Sequence, residues 1–173
     1  MKNCREKELS LPKLFQKTIV YVVACFIFNS AVYADTVTIT GTAYGSRTST
    51  EETVLSDGNF KYINYDHSIW VQEGMPEGYP SMVSGDCRNV GLRSPDFVNL
   101  GSSWTCTITD IDGDGFINIG SDVAPDWSGC NYEAVSGWGK YAGISQSGTC
   151  SYAGNITATD WVLKWTGEFT TPE

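Results

Sequence analysis

Between residues 36 and 46 the chain reads TVTITGTAYGS, with Val37 and Ile39 set between Thr36, Thr38 and Thr40. An apolar residue at every second position is the period of a strand with one buried face. Similar stretches follow at 59–66, 68–74, 82–93, 102–110, 115–120, 129–137, 140–145, 148–154 and 160–170. Between them lie SDGN (56–59), PEGYP (76–80), DGDG (112–115) and GWG (137–139), all turn-forming clusters. No window offers an amphipathic helix of useful length, because Gly, Thr, Ser and β-branched residues interrupt every candidate. Many short strands at near-regular spacing predict an all-β domain, either a sandwich or a closed barrel. Closure has the advantage of leaving no exposed edge.

The N-terminus follows another pattern. Residues 1–17 hold Lys2, Arg5, Lys7, Lys13 and Lys17 against Glu6 and Glu8, and an apolar run, IVYVVACFIF, spans 19–28. Val32 and Ala34 then offer small residues at the −3 and −1 positions of a cleavage site before Asp35. This is the order of a secretory signal peptide. The apolar run is shorter than the ~20 residues that a spanning helix needs. The expectation is a signal peptide at 1–34 and a single domain at 35–173, secreted or periplasmic, with no stable membrane insertion of the mature chain. VVAC, ending at Cys25, loosely resembles a lipoprotein box. Its small residues are poor and cutting there would leave FIFNSAVYA dangling, so lipid anchoring is the lesser alternative.

Removing the leader sharpens the charge. Residues 35–173 retain 6 Lys and Arg against 18 Asp and Glu, a net of −12. Nothing supplies the cationic footprint that phosphate binding requires, so nucleic acid is excluded as a partner. Six Trp and seven Tyr all lie in this part, enough to fill a core or line a cavity. Four of the six cysteines remain: Cys87, Cys106, Cys130 and Cys150. An even number in an exported chain suggests two disulfides, with three connectivities open. Pairing neighbours, Cys87–Cys106 and Cys130–Cys150, would close two local strand pairs, each loop contributing roughly 3 kcal/mol. With no CxxC and His67 as the sole histidine, a zinc site has no support.

TDIDGDGFINIG (109–120) sets aspartates at 110, 112 and 114, as a calcium loop would. An EF-hand needs a bidentate Glu at position 12 and a helix on each side. Counted from Asp110, position 12 is Ser121, the preceding segment is a strand, and Pro125 bars an exit helix. Two readings stay open: a hairpin turn whose carboxylates sit in water, or a non-EF calcium site using Asp110, Asp112, Asp114 and Asn118. In either, three close carboxylates repel unless solvent or a cation screens them. No other cofactor is expected.

SGWGKYAGISQSGTCSY (136–152) resembles the Gly-rich strand-turn-strand run of proteins with the allene oxide cyclase-like barrel, to which plant dirigent proteins are related. Gly137, Gly139, Lys140, Tyr141, Ala142, Gly143, Ile144, Gly148 and Thr149 match that run, while Trp138 stands for a Thr and Gln146 for a Gly. GDCRNVGLR (85–93) and SSWTCTITDIDGDGF (102–116) also resemble small exported bacterial proteins of this type. The resemblance spans 85–152. It implies a single closed antiparallel barrel of about eight strands, calycin-like, whose mouth can hold a small apolar molecule. Independently, glycines at 137, 139 and 143 within strand-like sequence argue for strong curvature.

Catalytic residues do not carry over, since nothing outside the Gly-rich run aligns. His67 beside Asp66 reads as a surface or structural residue, and no G-x-S-x-G elbow, Rossmann or P-loop signature is present. Glu133 and Glu168 could face inward as an acid/base pair or point to water. Asn155-Ile-Thr157 is a glycosylation sequon, relevant only in a eukaryotic secretory pathway. Three functions remain: a non-catalytic binder of a small apolar molecule, lined by Trp70, Trp104, Trp161, Trp165 and Tyr141; an isomerase- or cyclase-like enzyme using the same cavity; or a packed structural module stiffened by calcium. The sequence carries no signal for oligomeric state.

Overall fold

The structure, a computed structural model, describes residues 34–123 and 125–172. The expected leader at 1–34, Cys25 included, lies outside these residues apart from Ala34. Eight strands follow in order: β1 (Thr36–Val54), β2 (Phe60–Glu73), β3 (Met82–Arg93), β4 (Asn99–Thr109), β5 (Gly115–Asp122), β6 (Gly129–Trp138), β7 (Ser145–Asn155) and β8 (Asp160–Thr170). Each pairs antiparallel with its neighbour in sequence, and β8 returns to β1 to close the barrel. Among the described residues no helix is long and apolar enough to cross a membrane.

The strand forecasts need three adjustments. The segments at 59–66 and 68–74 are one strand, because β2 pairs without interruption with β3 from Phe60–Arg93 to Val71–Met82. The first strand runs on to Val54, although residues 47–54 lack alternation, because hairpin pairing with β2 holds them past an irregularity at Arg47/Ser49. KYAGIS (140–145) is not a strand. Gly139–Tyr141 forms a short 3₁₀ turn and Gly143, at φ 83°, takes a left-handed conformation that a strand does not use.

Inward positions alternate along the strands in the closed part of the barrel, and four large inward aromatics sit directly across from glycines. In register, Trp165 faces Gly41, Trp161 faces Gly45, Trp104 faces Gly120 and Tyr62 faces Gly91. A Cβ on any of these glycines would run into the facing ring. An eight-stranded lumen is narrow enough for side chains to fill it, so a ring from one strand requires an empty place on the next.

The two ends of the barrel differ. At the end holding the starts of β1, β3, β5 and β7, an aromatic plug forms from Tyr79, Phe116, Tyr141 and Phe169. Tyr79 lies 4.9 Å from Phe169 and 5.3 Å from Tyr141, ring centre to ring centre, and Phe116 lies 5.2 Å from Tyr141. Two disulfides form a layer farther along the axis. Cys87 and Cys106 are opposite each other on β3 and β4, with Cα atoms 4.0 Å apart. Cys130 and Cys150 do the same on β6 and β7, at 4.9 Å. The second bond staples the seam with the shortest ladder, Gly129–Glu133 against Ser147–Ser151. Such bonds fit an oxidising compartment.

The glycine–aromatic pairing has a measurable consequence. Gly41→Ala drives a methyl into Trp165 and the Val71 carbonyl, and is expected to cost about 1–3 kcal/mol in urea unfolding. Gly129→Ala, which meets only Val123 Cγ2 at 3.4 Å and Cys150 O at 3.5 Å, is expected to stay close to neutral.

Candidate functional site

At the other end the lumen opens into a cavity of about 560 Å³, within the range of small-molecule sites. Strand length builds it. The β1 extension, with the start of β2 and the end of β3, forms a tall wall that β8 does not reach, since β8 meets β1 only as far as Ser46–Asp160. That wall carries Arg47, Glu52, Tyr62, Asn64 and Arg93 inward. The two disulfides, Trp70 and Leu163 also line the cavity. The connections after β3 and β5 contribute Phe97 and Trp127, whose indole N–H donates to the Phe97 carbonyl at 3.2 Å.

Phe97 and Trp127 both hold positive φ, 62° and 65°. For bulky residues this costs on the order of 1–3 kcal/mol each, and such strain gathers at functional sites. Trp127 packs on Tyr62, with ring centres 5.7 Å apart. Arg93 lies between Phe60 and Phe97, 4.2 Å from each ring centre, and pairs with Glu52 at 2.6 Å.

Two acids stand out among the lining residues. Asp66 is buried on β2; Trp161 Nε1 donates to it at 3.2 Å and Arg47 Nε stands at 3.6 Å. Burial nevertheless dominates and pushes its carboxyl above the usual range. Asp122, at the end of β5, accepts a hydrogen bond from the Ser102 hydroxyl, and burial raises its carboxyl too. The Tyr62 hydroxyl lies beside Ser102 and is pushed up to about 12, by burial first and then by the Asp122 charge, against the pull of Ser102 and the two arginines.

The cavity gathers three of the five aromatics expected to line it: Trp70, Trp104 and Trp161. The other two need correction. Trp165 lies under the cavity in the core, packed on Trp70 and Tyr132, and Tyr141 is wholly buried in the plug at the closed end. Glu133 and Glu168 are exposed on the outer face, and His67 is exposed beside Asp86 at 2.8 Å. Asp66, Asp122, Tyr62, Arg47 and Trp127 were missed. The signal for the first three was parity: Tyr62, Asn64 and Asp66 share a face with Trp70, and Asp122 shares one with Phe116.

The acidic turn is tied together by groups of the chain. Asp110 Oδ1 accepts from the amides of Asp112 and Asp114, at 2.9 and 3.2 Å. Lys140, from the 3₁₀ turn, brings its ammonium to Asp110 at 3.0 Å and Asp112 at 2.8 Å, while its amide donates to Asp114. Trp138 Nε1 donates to the Gly113 carbonyl at 2.8 Å. The Lys140 ammonium thus screens two of the three carboxylates in the turn. Asn118 does not join the set: alternation places it four residues along β5, facing the barrel interior and 2% exposed. Among the described residues no group of three or more His, Cys, Asp or Glu is placed to hold a metal ion. Burial opposes ionisation of Asp110, but hydrogen bonds from Lys140 and the two amides outweigh it and hold the carboxyl below its usual range.

These opposite shifts predict opposite pH behaviour. A depressed carboxyl contributes stability above its unfolded pKa and loses it as pH falls through the folded value. Lys140→Met is therefore expected to lower the melting temperature most near pH 7, with the gap closing under acid conditions in parallel melts. A raised carboxyl contributes stability below its unfolded pKa and loses it as pH rises through the folded value. Asp122→Asn is expected to melt above the parent at pH 7, with the gap shrinking toward pH 4.

The chain matches no family profile and no curated protein. Its fold is matched by the solved structure of a pterocarpan synthase dirigent protein, with a TM-score of 0.50 at 9% sequence identity, over 84% of this chain and 96% of that one. At that identity the likeness concerns fold alone, and in fold this chain is a closed eight-stranded antiparallel barrel of the dirigent kind.

Proposed function

We propose that the protein is an exported, non-catalytic binder that holds a small aromatic molecule in the cavity at the open end of the barrel. The observation that carries this reading is the cavity's lining: indoles of Trp70, Trp104, Trp127 and Trp161 interleaved with polar groups that can fix a ligand's orientation. An apolar molecule, as the sequence suggested, would leave the Tyr62 hydroxyl unmatched and would bring nothing to Asp122, whose hydrogen-bond donor is the neutral Ser102 hydroxyl. A ligand with an apolar ring and a polar head suits them better. Export rests on the leader pattern of residues 1–34 together with the two disulfides.

Catalysis is the second reading. Asp66 and Asp122, both raised by burial, have the character of general acids in a cleft, and the dirigent protein of like fold is named as a synthase. Recovery of the bound molecule unchanged separates binding from turnover.

The test is calorimetric titration of the disulfide-bonded chain with 2-naphthylmethylamine, 2-naphthylmethanol and 2-naphthoate, which share a ring and differ in the head group. At least one is expected to bind at a single site, and Trp104→Ala is expected to weaken that binding severalfold. Absence of binding by all three at millimolar concentration would remove the cavity reading.

A further inference from the structure

Resting on the cavity reading above, we propose that the molecule held there is an organic amine, bound as a cation between Asp122 and the Tyr62–Trp127 pair. The argument begins with the charges on the lining, which are Arg47, Glu52, Asp66, Arg93, Asp122 and Asp126. Both cations are already opposed: Arg47 by Asp66 at 3.6 Å and Arg93 by Glu52 at 2.6 Å. Arg93 is further held between two phenyl rings. Among the described residues no ion pair engages Asp122 or Asp126, so the lining carries an excess of two carboxylates. Asp126 is exposed at the rim and accepts from the Ser128 amide. Asp122 is the inner one, and its hydrogen-bond partner is the neutral Ser102 hydroxyl.

What surrounds Asp122 selects the ligand. Tyr62 has its hydroxyl beside Ser102 and Asp122 and its ring against Trp127 at 5.7 Å. Asp122, Tyr62 and Trp127 line the same cavity, and aromatic rings sharing a cleft with a carboxylate are the chemistry that recognises an ammonium group, through cation–π attraction and charge pairing together. A carboxylate or phosphate ligand would bring like charge to Asp122 and Asp126. A neutral ligand would bury Asp122 further without compensating it. The surrounding field works in the same direction, since residues 35–173 carry a net −12 that concentrates cations at a cleft.

The same naphthalene series tests this separately from the cavity itself. The amine is expected to bind about tenfold or more tightly than the isosteric alcohol, and the carboxylate weakest. Asp122→Asn is expected to erase the preference for the amine while leaving alcohol binding in place. Asp126→Asn, at the exposed rim, is expected to retain most of it. Trp127→Leu, an independent variant, is expected to lower amine affinity more than alcohol affinity. Equal affinity for amine and alcohol, or a preference that survives Asp122→Asn, would overturn the amine assignment and leave the cavity reading standing. Failure of all three compounds to bind would overturn both.

Discussion

The pairing of β1 with β8 is the constraint on which the rest depends. It runs over eleven residue pairs, from Thr36–Thr170 to Ser46–Asp160, and turns an open sheet into a barrel. Closure leaves no edge to pair with another chain, but it also fixes the width of the lumen. An eight-stranded lumen has room for its side chains or for one small ligand. Indoles from β4 and β8 fit only because glycines on β5 and β1 leave space across the ladder. The same closure creates the cavity by mismatch: β1 has 19 residues and β8 has 11, so the surplus of β1 rises with β2 above the closed portion.

Carboxylates show how differently the two ends are built. Asp110 has a fully buried side chain, yet two amides and an ammonium group serve it, and its carboxyl is held low. Asp66 and Asp122, at the open end, have fewer and weaker partners, and burial raises both. The residue type is the same; the number and charge of donors decide the sign of the shift. A satisfied buried acid locks a turn, as Asp110 locks the acidic hairpin against the turn that carries Lys140. An under-served acid beside open space is poised to meet something from outside the chain.

Alternation made the strands legible, and the Gly-rich run together with its resemblance made the barrel legible. The Cys87–Cys106 and Cys130–Cys150 bonds join residues that are direct cross-strand partners, as local hairpins imply. The turn at 139–141 was not legible, because KYAGIS alternates like a strand and only the left-handed glycines reveal otherwise. Lys140 was equally hidden: its partners Asp110 and Asp112 are remote in sequence and meet it only once β5 and β6 pair. Trp165 shares inward parity with Trp161 on β8, but parity does not report depth along the barrel axis, and Tyr141 sits in the 3₁₀ turn, where strand parity does not apply.

The hardest part to read was β2, and the difficulty is itself informative. Its odd positions include Ile63, Tyr65, Ile69 and Val71, while its even positions include Asn64, Asp66, Ser68 and Gln72. Hydrophobicity alone would turn the odd set inward. The barrel does the reverse: Asn64, Asp66, Ser68 and Gln72 are buried and Ile69 is 45% exposed. Tyr62 sets this register by fitting the space left directly across the ladder by Gly91, and Trp70, opposite Val83, turns its indole N–H into the space left diagonally by Gly85. Burying polar groups while exposing apolar ones opposes folding. Sequences keep such inversions where a site needs them, so that local rules fail where function lies. The inverted stretch divides along the axis: Ser68 and Gln72, toward the plug, donate their hydrogen bonds to the Gly85 and Pro80 carbonyls, while Tyr62, Asn64 and Asp66 stand on the wall of the cavity at the open end.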